Sequence, residues 1–307
     1  MRVLIVANHN TGSYTPFIIE QVKAIHQLGI EIDYFGVHGK GIMGYLSNRN
    51  ALKAKIRDYH PDLIHAHYGL SGLLANLQRS VPVVTTYHGS DIHALGKNLF
   101  FSKAAMWLSA YNIFVSDKLQ IQSGYHKSKQ RVIPCGVDTA AIYPIDRVEA
   151  RKLLGWDVDG KYVLFAGAFN NEVKNSSLAK AAMALLPNAQ LVEMRGFNRE
   201  QVNQVMNAAD CLLMTSHREG SPQVIKEAMV CGTPIVSVNV GDVKEVLSGV
   251  TGCYITSYNA HAIVENLQKA FSFTGKTNGR QRISELGLSN ESIAKEILNV
   301  YKSVVKR

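Results

Sequence analysis

The chain has 307 residues, 46% hydrophobic and 19% charged, with no low-complexity tract. That composition excludes a disordered or fibrous polymer and leaves room for two hydrophobic cores. The net charge of +9 is uneven, with 14 basic against 8 acidic side chains over residues 1–140 and 19 against 16 over residues 141–307. The excess in the first part points to an acidic partner there (a phosphorylated acceptor, an anionic membrane surface or nucleic acid) or to a solvated surface.

The chain opens "MRVLIVAN", an apolar β-rich run without a signal-peptide layout, and no uninterrupted apolar stretch is long enough to cross a bilayer. Cys135, Cys211, Cys231 and Cys253 lack CxxC spacing and read as buried thiols in a reducing compartment. The expectation is a cytoplasmic protein. Strands are predicted near 2–7, 31–35, 62–67, 82–87 and 112–116. Amphipathic stretches lie between them, such as "PFIIEQVKAIHQLG", where Ile18, Val22 and Ile25 share a face between Thr15-Pro16 and Gly29. The rhythm then repeats, with strands near 161–166, 190–194, 211–215 and 234–238. Near-continuous apolar strands alternating with helices indicate parallel sheets covered on both faces. The expected architecture is α/β: two doubly wound, Rossmann-like domains facing across a cleft. Their join falls near "VIPCGVDTAAIYP", giving domains of 1–140 and 141–289 and a closing helix at 290–307.

In open parallel sheets ligands sit outside the carboxyl ends of the strands. In the first domain those positions hold Asn8, His9, Asn10, Thr11, Gly12 and Ser13, then His67-Tyr68-Gly69, then His88-Gly89-Ser90-Asp91. In the second they hold Gly167-Ala168-Phe169 with Lys174 and Asn175, then Arg195-Gly196, then Ser216 to Ser221. His65 and His67 share a strand face, with His9 and His88 at neighbouring strand ends, but no carboxylate or cysteine stands at ligand spacing, so no metal is expected. The sequence contains no GxGxxG after the first strand, no GxxxxGK[ST] and no GxSxG.

Residues 216–237, "SHREGSPQVIKEAMVCGTPIVS", set Glu219 and Glu227 around Ser221-Pro222 with seven residues between them. Ser221 is the predicted N-cap and Pro222 the first helical residue, so free N–H groups would seat a phosphate. Carboxylates accept paired hydrogen bonds from vicinal hydroxyls. A nucleotide sugar therefore fits, with its ribose on Glu227 and its hexose on Glu219; alternatively Glu219 merely favours the helix dipole and Glu227 is exposed.

With "IHAHYG", "TTYHGSDI", "IFVSDKLQ", "VIPCGVDTAAIYP", "VLFAGAFNNEVKN" and "VGDVKEVL" in order around that Glu-x7-Glu region, the chain resembles the retaining family 4 glycosyltransferases of the GT-B fold. Its pattern is similar to compact bacterial members of surface-polysaccharide and teichuronic-acid pathways. The resemblance implies that the second domain binds a nucleotide diphosphate-sugar, a UDP-sugar ahead of a GDP-sugar, through Gly167, Lys174, Asn175, Arg195, Glu219, Gly220, Ser221, Pro222, Gln223 and Glu227. His88, Glu219 and Lys174 would serve catalysis. Asn10, Gly12, Ser13, His67, Tyr68, His88, Gly89 and Asp91 would line the acceptor side. No cofactor or divalent metal is implied; the acceptor would be a glycan or a lipid-linked sugar, and the protein a monomer that binds no nucleic acid.

Three features depart from the family pattern. Many members carry an arginine where Ala168 stands, and Arg195 is expected to replace it; the loop after the first strand keeps only Gly12 and Ser13; and a single strand, "QLVEM", stands where many members have an additional β-strand unit, leaving the base open. A basic helix in "YLSNRNALKAKIRDY" and the aromatics Phe100, Phe101 and Trp107 could touch the inner face of an anionic membrane, or the aromatics pack in a core. A non-hydrolysing epimerase or hydrolase, or a catalytically idle nucleotide-sugar-binding protein, is the alternative to a transferase.

Overall fold

The structure is a computed structural model describing residues 1–93 and 97–306. The chain divides into two compact units, Met1–Gly136 with Asn290–Arg307, and Val137–Ser289. The first boundary lies a few residues before the position 140 expected from the sequence.

In the first unit the elements run β1 (Arg2–Asn8), α1 (Pro16–Gln27), β2 (Glu31–Val37), α2 (Gly41–Leu46), α3 (Arg49–Tyr59), β3 (Leu63–His67), α4 (Gly69–Asn76), β4 (Val83–Tyr87), α5 (Lys97–Leu108), β5 (Tyr111–Phe114), α6 (Asp117–Ser123) and β6 (Gln130–Val132). The six strands form one parallel sheet in the order β2-β1-β3-β4-β5-β6. β3 and β4 are buried at every residue, as strands covered on both faces must be. α1 buries Ile18, Val22 and Ile25, starts at Pro16 and ends before Gly29, whose φ of +81° reverses the chain.

The second unit contains α7 (Arg147–Leu154), β7 (Tyr162–Phe165), a 3-10 turn (Glu172–Lys174), α8 (Ser176–Met183), β8 (Gln190–Glu193), α9 (Arg199–Ala208), β9 (Cys211–Met214), α10 (Gln223–Cys231), β10 (Ile235–Val238), α11 (Val243–Val246), β11 (Cys253–Thr256), α12 (Ala260–Ser272) and α13 (Gly279–Glu285). Its parallel sheet has the order β11-β10-β9-β7-β8. The short strands β6 and β11 escaped the sequence reading: β6 holds one apolar residue, Val132, and the apolar run of β11, Cys253 to Ile255, is only three residues long. The closing helix α14 (Asn290–Val305) belongs to the first unit, where it packs on α1 and buries Ile293, Ile297, Val300 and Tyr301.

Each sheet reverses its strand order once, at β1/β3 in the first unit and at β7/β9 in the second. The carboxyl ends of those strand pairs are where a crevice opens in a doubly wound sheet. Asn8 and His67 end β1 and β3, while Gly167 and Thr215 follow β7 and β9 closely. Among the described residues no helix is long and apolar enough to cross a membrane.

Candidate functional site

In the second unit the loops beyond β7 and β9 are tied together. Thr215 Oγ1 donates to the carbonyls of Lys174 and Asn175, both at 2.9 Å, and the His217 amide donates to the Val173 carbonyl at 2.9 Å. A Cβ at Gly167 would stand 2.7 Å from Lys174 Cγ, so only glycine lets the lysine stem lie against the strand end. Lys174 Nζ then reaches Glu219 Oε1 at 2.7 Å, with both side chains about four-fifths buried. This pair joins two residues that the sequence placed in the site 45 positions apart.

The turn carrying Glu219, Gly220 and Ser221 is held from the far side by the loop after β10. A Cβ at Gly241, whose φ is +56°, would lie 2.5 Å from the Gly220 carbonyl oxygen. Ser221 Oγ donates to Asp242 Oδ2 at 2.5 Å, and Lys226 Nζ donates to Ser221 Oγ at 2.5 Å while standing 3.4 Å from Asp242 Oδ2. Lys226 is completely buried. These bonds correct the expected helix start: α10 begins at Gln223 with Pro222 as its flanking residue, and the Ser221 hydroxyl serves Asp242 and Lys226 in place of the helix amides. The N-terminal amides of α10 still begin directly after the Glu219–Ser221 turn, as an anion seat requires.

Glu227 lies just over one turn into α10 and is buried, not exposed. Its Oε1 accepts from Arg199 Nη1 at 2.5 Å. Arg199 opens α9, whose start is fixed by a reciprocal cap: Asn198 Oδ1 accepts the Gln201 amide at 2.9 Å and Gln201 Oε1 accepts the Asn198 amide at 3.0 Å. Arg195 is exposed; its amide bonds the Glu193 carbonyl at 3.0 Å, and among the described residues its guanidinium forms no ion pair. Arg199, Lys226, Gly241 and Asp242 were missed by the sequence reading. The capping pattern "NREQ" and the landmark "VGDVKEVL" were the available signals.

In the first unit Asp91 locks the loops after β3 and β4. Its Oδ1 accepts the amides of Gly89 (2.9 Å) and His88 (3.2 Å), and its Oδ2 accepts the Gly69 amide at 3.1 Å. Burial pushes its carboxyl up to about 6, an effect moderated by those amides. His67 Nδ1 and His88 Nε2 share a hydrogen bond of 3.0 Å, and Phe17 and Tyr68 pack on the His88 ring at 4.8 and 4.7 Å. Tyr68 holds a φ of +72°, a strained conformation that aims it at this cluster. Behind them His65 is spent on structure, with Nδ1 2.6 Å from Tyr301 Oη of α14 and Nε2 2.7 Å from Thr86 Oγ1. Burial pushes all three imidazoles below their ordinary range, His67 to about 3, so they act as neutral hydrogen-bonding groups. His9 does not join them; its ring contacts are Tyr14 and His38. Asn10 brackets Gly39 by two hydrogen bonds, and Gly12 and Ser13 stand exposed beside it. Among the described residues no three His, Cys, Asp or Glu side chains are grouped to hold a metal.

A family model described as Glycosyltransferase Family 4 matches residues 5–141, and one described as Glycosyl transferases group 1 matches residues 161–272. The TuaC glycosyltransferase of Bacillus subtilis (strain 168), named for teichuronic acid biosynthesis, is 28% identical over 246 residues, covering 70% of this chain and 62% of that protein. The D-inositol 3-phosphate glycosyltransferase of Mycolicibacterium gilvum (strain PYR-GCK) is 27% identical over 274 residues, covering 72% and 61%. The chain thus spans about six tenths of the length of these curated relatives. Among solved structures, sucrose-phosphate synthase from Thermosynechococcus elongatus superposes with a TM-score of 0.86 at 19% identity, over 99% of both chains. Anabaena HepE in complex with UDP-glucose superposes at 0.76 and 18% identity, over 99% of this chain and 100% of that one. Both parallel-sheet units are matched by glycosyltransferase models and the whole chain by GT-B structures, so this chain belongs to the family 4 glycosyltransferases.

Proposed function

We propose that the protein transfers a sugar from a nucleotide diphosphate-sugar to a glycan or lipid-linked acceptor in bacterial surface polysaccharide synthesis, with retention of anomeric configuration. The observation carrying this reading is the pair of buried carboxylates beside the start of α10, each set against its own cation: Glu219 against Lys174, and Glu227 against Arg199. Glu227 takes the ribose hydroxyls, Glu219 the donor sugar, and the amides at Gly220, Ser221 and the start of α10 the diphosphate. A UDP-sugar is the favoured donor, in keeping with a structural neighbour seen in complex with UDP and with UDP-glucose.

In the reaction the bond from the anomeric carbon to the diphosphate oxygen breaks through an oxocarbenium-like state, and the acceptor oxygen attacks the same face. Its proton passes to the departing phosphate oxygen, whose growing charge Lys174 stabilises. Asn10, Gly12, Ser13, His67, Tyr68, His88, Gly89 and Asp91 of the first unit serve the acceptor side. No metal takes part. The test is a panel of nucleotide sugars screened by thermal shift, the best donor then being followed for nucleotide diphosphate release with and without a lipid-linked acceptor. Release only with acceptor supports transfer. Sugar interconversion without release would assign an epimerase, release to water a hydrolase, and binding without turnover an idle partner.

A further inference from the structure

α5 carries apolar side chains on both its covered and its exposed side. Ser102, Ala105 and Met106 lie buried on one side, with Gly69 of α4 so near that a Cβ there would come within 2.2 Å of Ser102 Oγ. The other side presents Phe100, Lys103 and Trp107 at helical spacing, with Phe100 68% and Trp107 66% exposed. Large aromatic side chains on a helix are normally enclosed; α5 leaves Phe100 and Trp107 in water on either side of Lys103. The core-packing reading of these aromatics is thereby corrected for Phe100 and Trp107.

The chain after α6 extends the same surface. Lys127 Nζ sits 3.8 Å from the Trp107 ring centroid, and buried Tyr125 meets that ring edge-on. Ile121, one turn before Tyr125, is 73% exposed. The charge here is one-sided: between Asp91 and Asp138 the sequence holds five lysines and one arginine against a single acidic residue, Asp117. Arg131 is committed to Glu296 of α14, while Lys103, Lys127 and Lys129 are exposed.

Protein–protein interfaces are depleted in lysine at their cores, whereas here a lysine lies on the central aromatic ring. Exposed Trp, Phe and Ile interleaved with lysines, in a segment whose sequence carries one carboxylate, match the headgroup boundary of an anionic bilayer. We propose that the α5–α6 face docks the protein on an anionic lipid surface. Of the two segments the sequence suggested for membrane contact, the proposal keeps the α5 aromatics and sets aside the basic helix α3. It goes beyond the sugar-transfer reading and stands without it.

The test uses the full chain and vesicles of phosphatidylcholine alone or mixed with phosphatidylglycerol. Trp107 and Trp156 are the only tryptophans, so Trp156→Phe makes emission report on Trp107. At low salt the protein should sediment with anionic vesicles and not with neutral ones, and Trp107 emission should shift to the blue. Replacing Lys103, Lys127 and Lys129 together by serine should weaken binding on the order of a hundredfold at about 1 kcal/mol per lysine. Trp107→Ser and Phe100→Ser should each weaken it on the order of tenfold, with melting temperatures unchanged because both side chains are exposed. Absence of sedimentation with anionic vesicles, equal binding to neutral ones, or binding with Trp107 emission unmoved would each overturn the proposal. Concentration-dependent self-association abolished by Trp107→Ser, without vesicle binding, would assign the face to a second copy of the chain.

Discussion

The Arg199 guanidinium donates to Glu227 Oε1 at 2.5 Å, joining the first residue of α9 to the body of α10. The Glu227 side chain is 7% exposed and faces a cation that keeps its proton at any working pH. A charge-assisted bond of this kind orients the carboxylate before a ligand arrives, and the reciprocal cap at Asn198 and Gln201 fixes where the arginine starts. On the proposed reading, donor binding at Glu227 therefore depends on a residue from a different helix.

Glu227→Gln should weaken binding of the free nucleotide diphosphate by about 1.5–3 kcal/mol, since it keeps the shape and loses the charge. Arg199→Ala should weaken it in the same direction by releasing the carboxylate. Titration calorimetry is the measurement; an unchanged dissociation constant for Glu227→Gln removes that residue from the ribose site.

Lys174→Ala should lower turnover about tenfold to a thousandfold, the range for losing a transition-state charge partner. Arg195, with an exposed side chain and no ion pair among the described residues, is expected to matter far less, within about threefold, as for other exposed charges. If Arg195→Ala proves as damaging as Lys174→Ala, and Ala168→Arg restores it, then Arg195 does replace the cation absent at Ala168.

Turnover should survive EDTA, because on the proposed reading Lys174 and the amides at the start of α10 supply the partners of the diphosphate. Full loss on chelation, restored by manganese or magnesium, would reopen a metal role.

Much of this site was legible because strand ends carry ligand chemistry whatever the details. The apolar runs at 161–166 and 211–215 located β7 and β9, and so placed Lys174 and Glu219 at one sheet edge. The seven-residue interval from Glu219 to Glu227 identified the turn and the helix. Burial was not legible in the same way. Lys226 reads as an ordinary helix charge until the loop after β10 closes over it, and Arg199 comes from a helix 28 residues before its partner. Phe100 and Trp107 read as core or as surface because apolar residues stand on both sides of α5, and the packing of α4 decides which face is covered.

Acid should unfold the first unit through its histidines. His65, His67 and His88 are held below their ordinary range by burial, His67 at about 3. Their stabilising contribution is complete above the unfolded value of about 6.5 and is lost as pH falls toward the folded one, at up to about 1.4 kcal/mol per pH unit for each group. Asp91 runs the other way: raised to about 6, its contribution is complete below the unfolded value of about 4 and is lost as pH rises through 6. Between about pH 4 and 6 it offsets part of the histidine effect. Urea unfolding at stepped pH should show a shallower acid loss in His67→Gln and a steeper one in Asp91→Asn than in the wild type. Parallel curves for all three proteins would contradict this account.

Lys226 is expected to hold the donor turn in shape. Its ammonium is wholly buried, bonded to Ser221 Oγ and 3.4 Å from Asp242 Oδ2, and Ser221 Oγ bonds that same carboxylate. Lys226→Met takes this cation from Asp242, and breaking a buried pair on one side costs about 3–5 kcal/mol, here toward the lower end because the Asp242 side chain is 13% exposed. Replacing both charges by apolar side chains is often close to neutral, so Lys226→Met with Asp242→Leu should recover most of that stability. Donor affinity should not recover with it. The double variant still lacks both partners of the Ser221 hydroxyl, and Gly220 and Ser221 are then free to move away from the start of α10. Thermal melting beside nucleotide diphosphate titration separates the two effects. A double variant that melts and binds like the wild type would show that the Ser221 turn needs no clamp, and Lys226 would be left with a packing role alone.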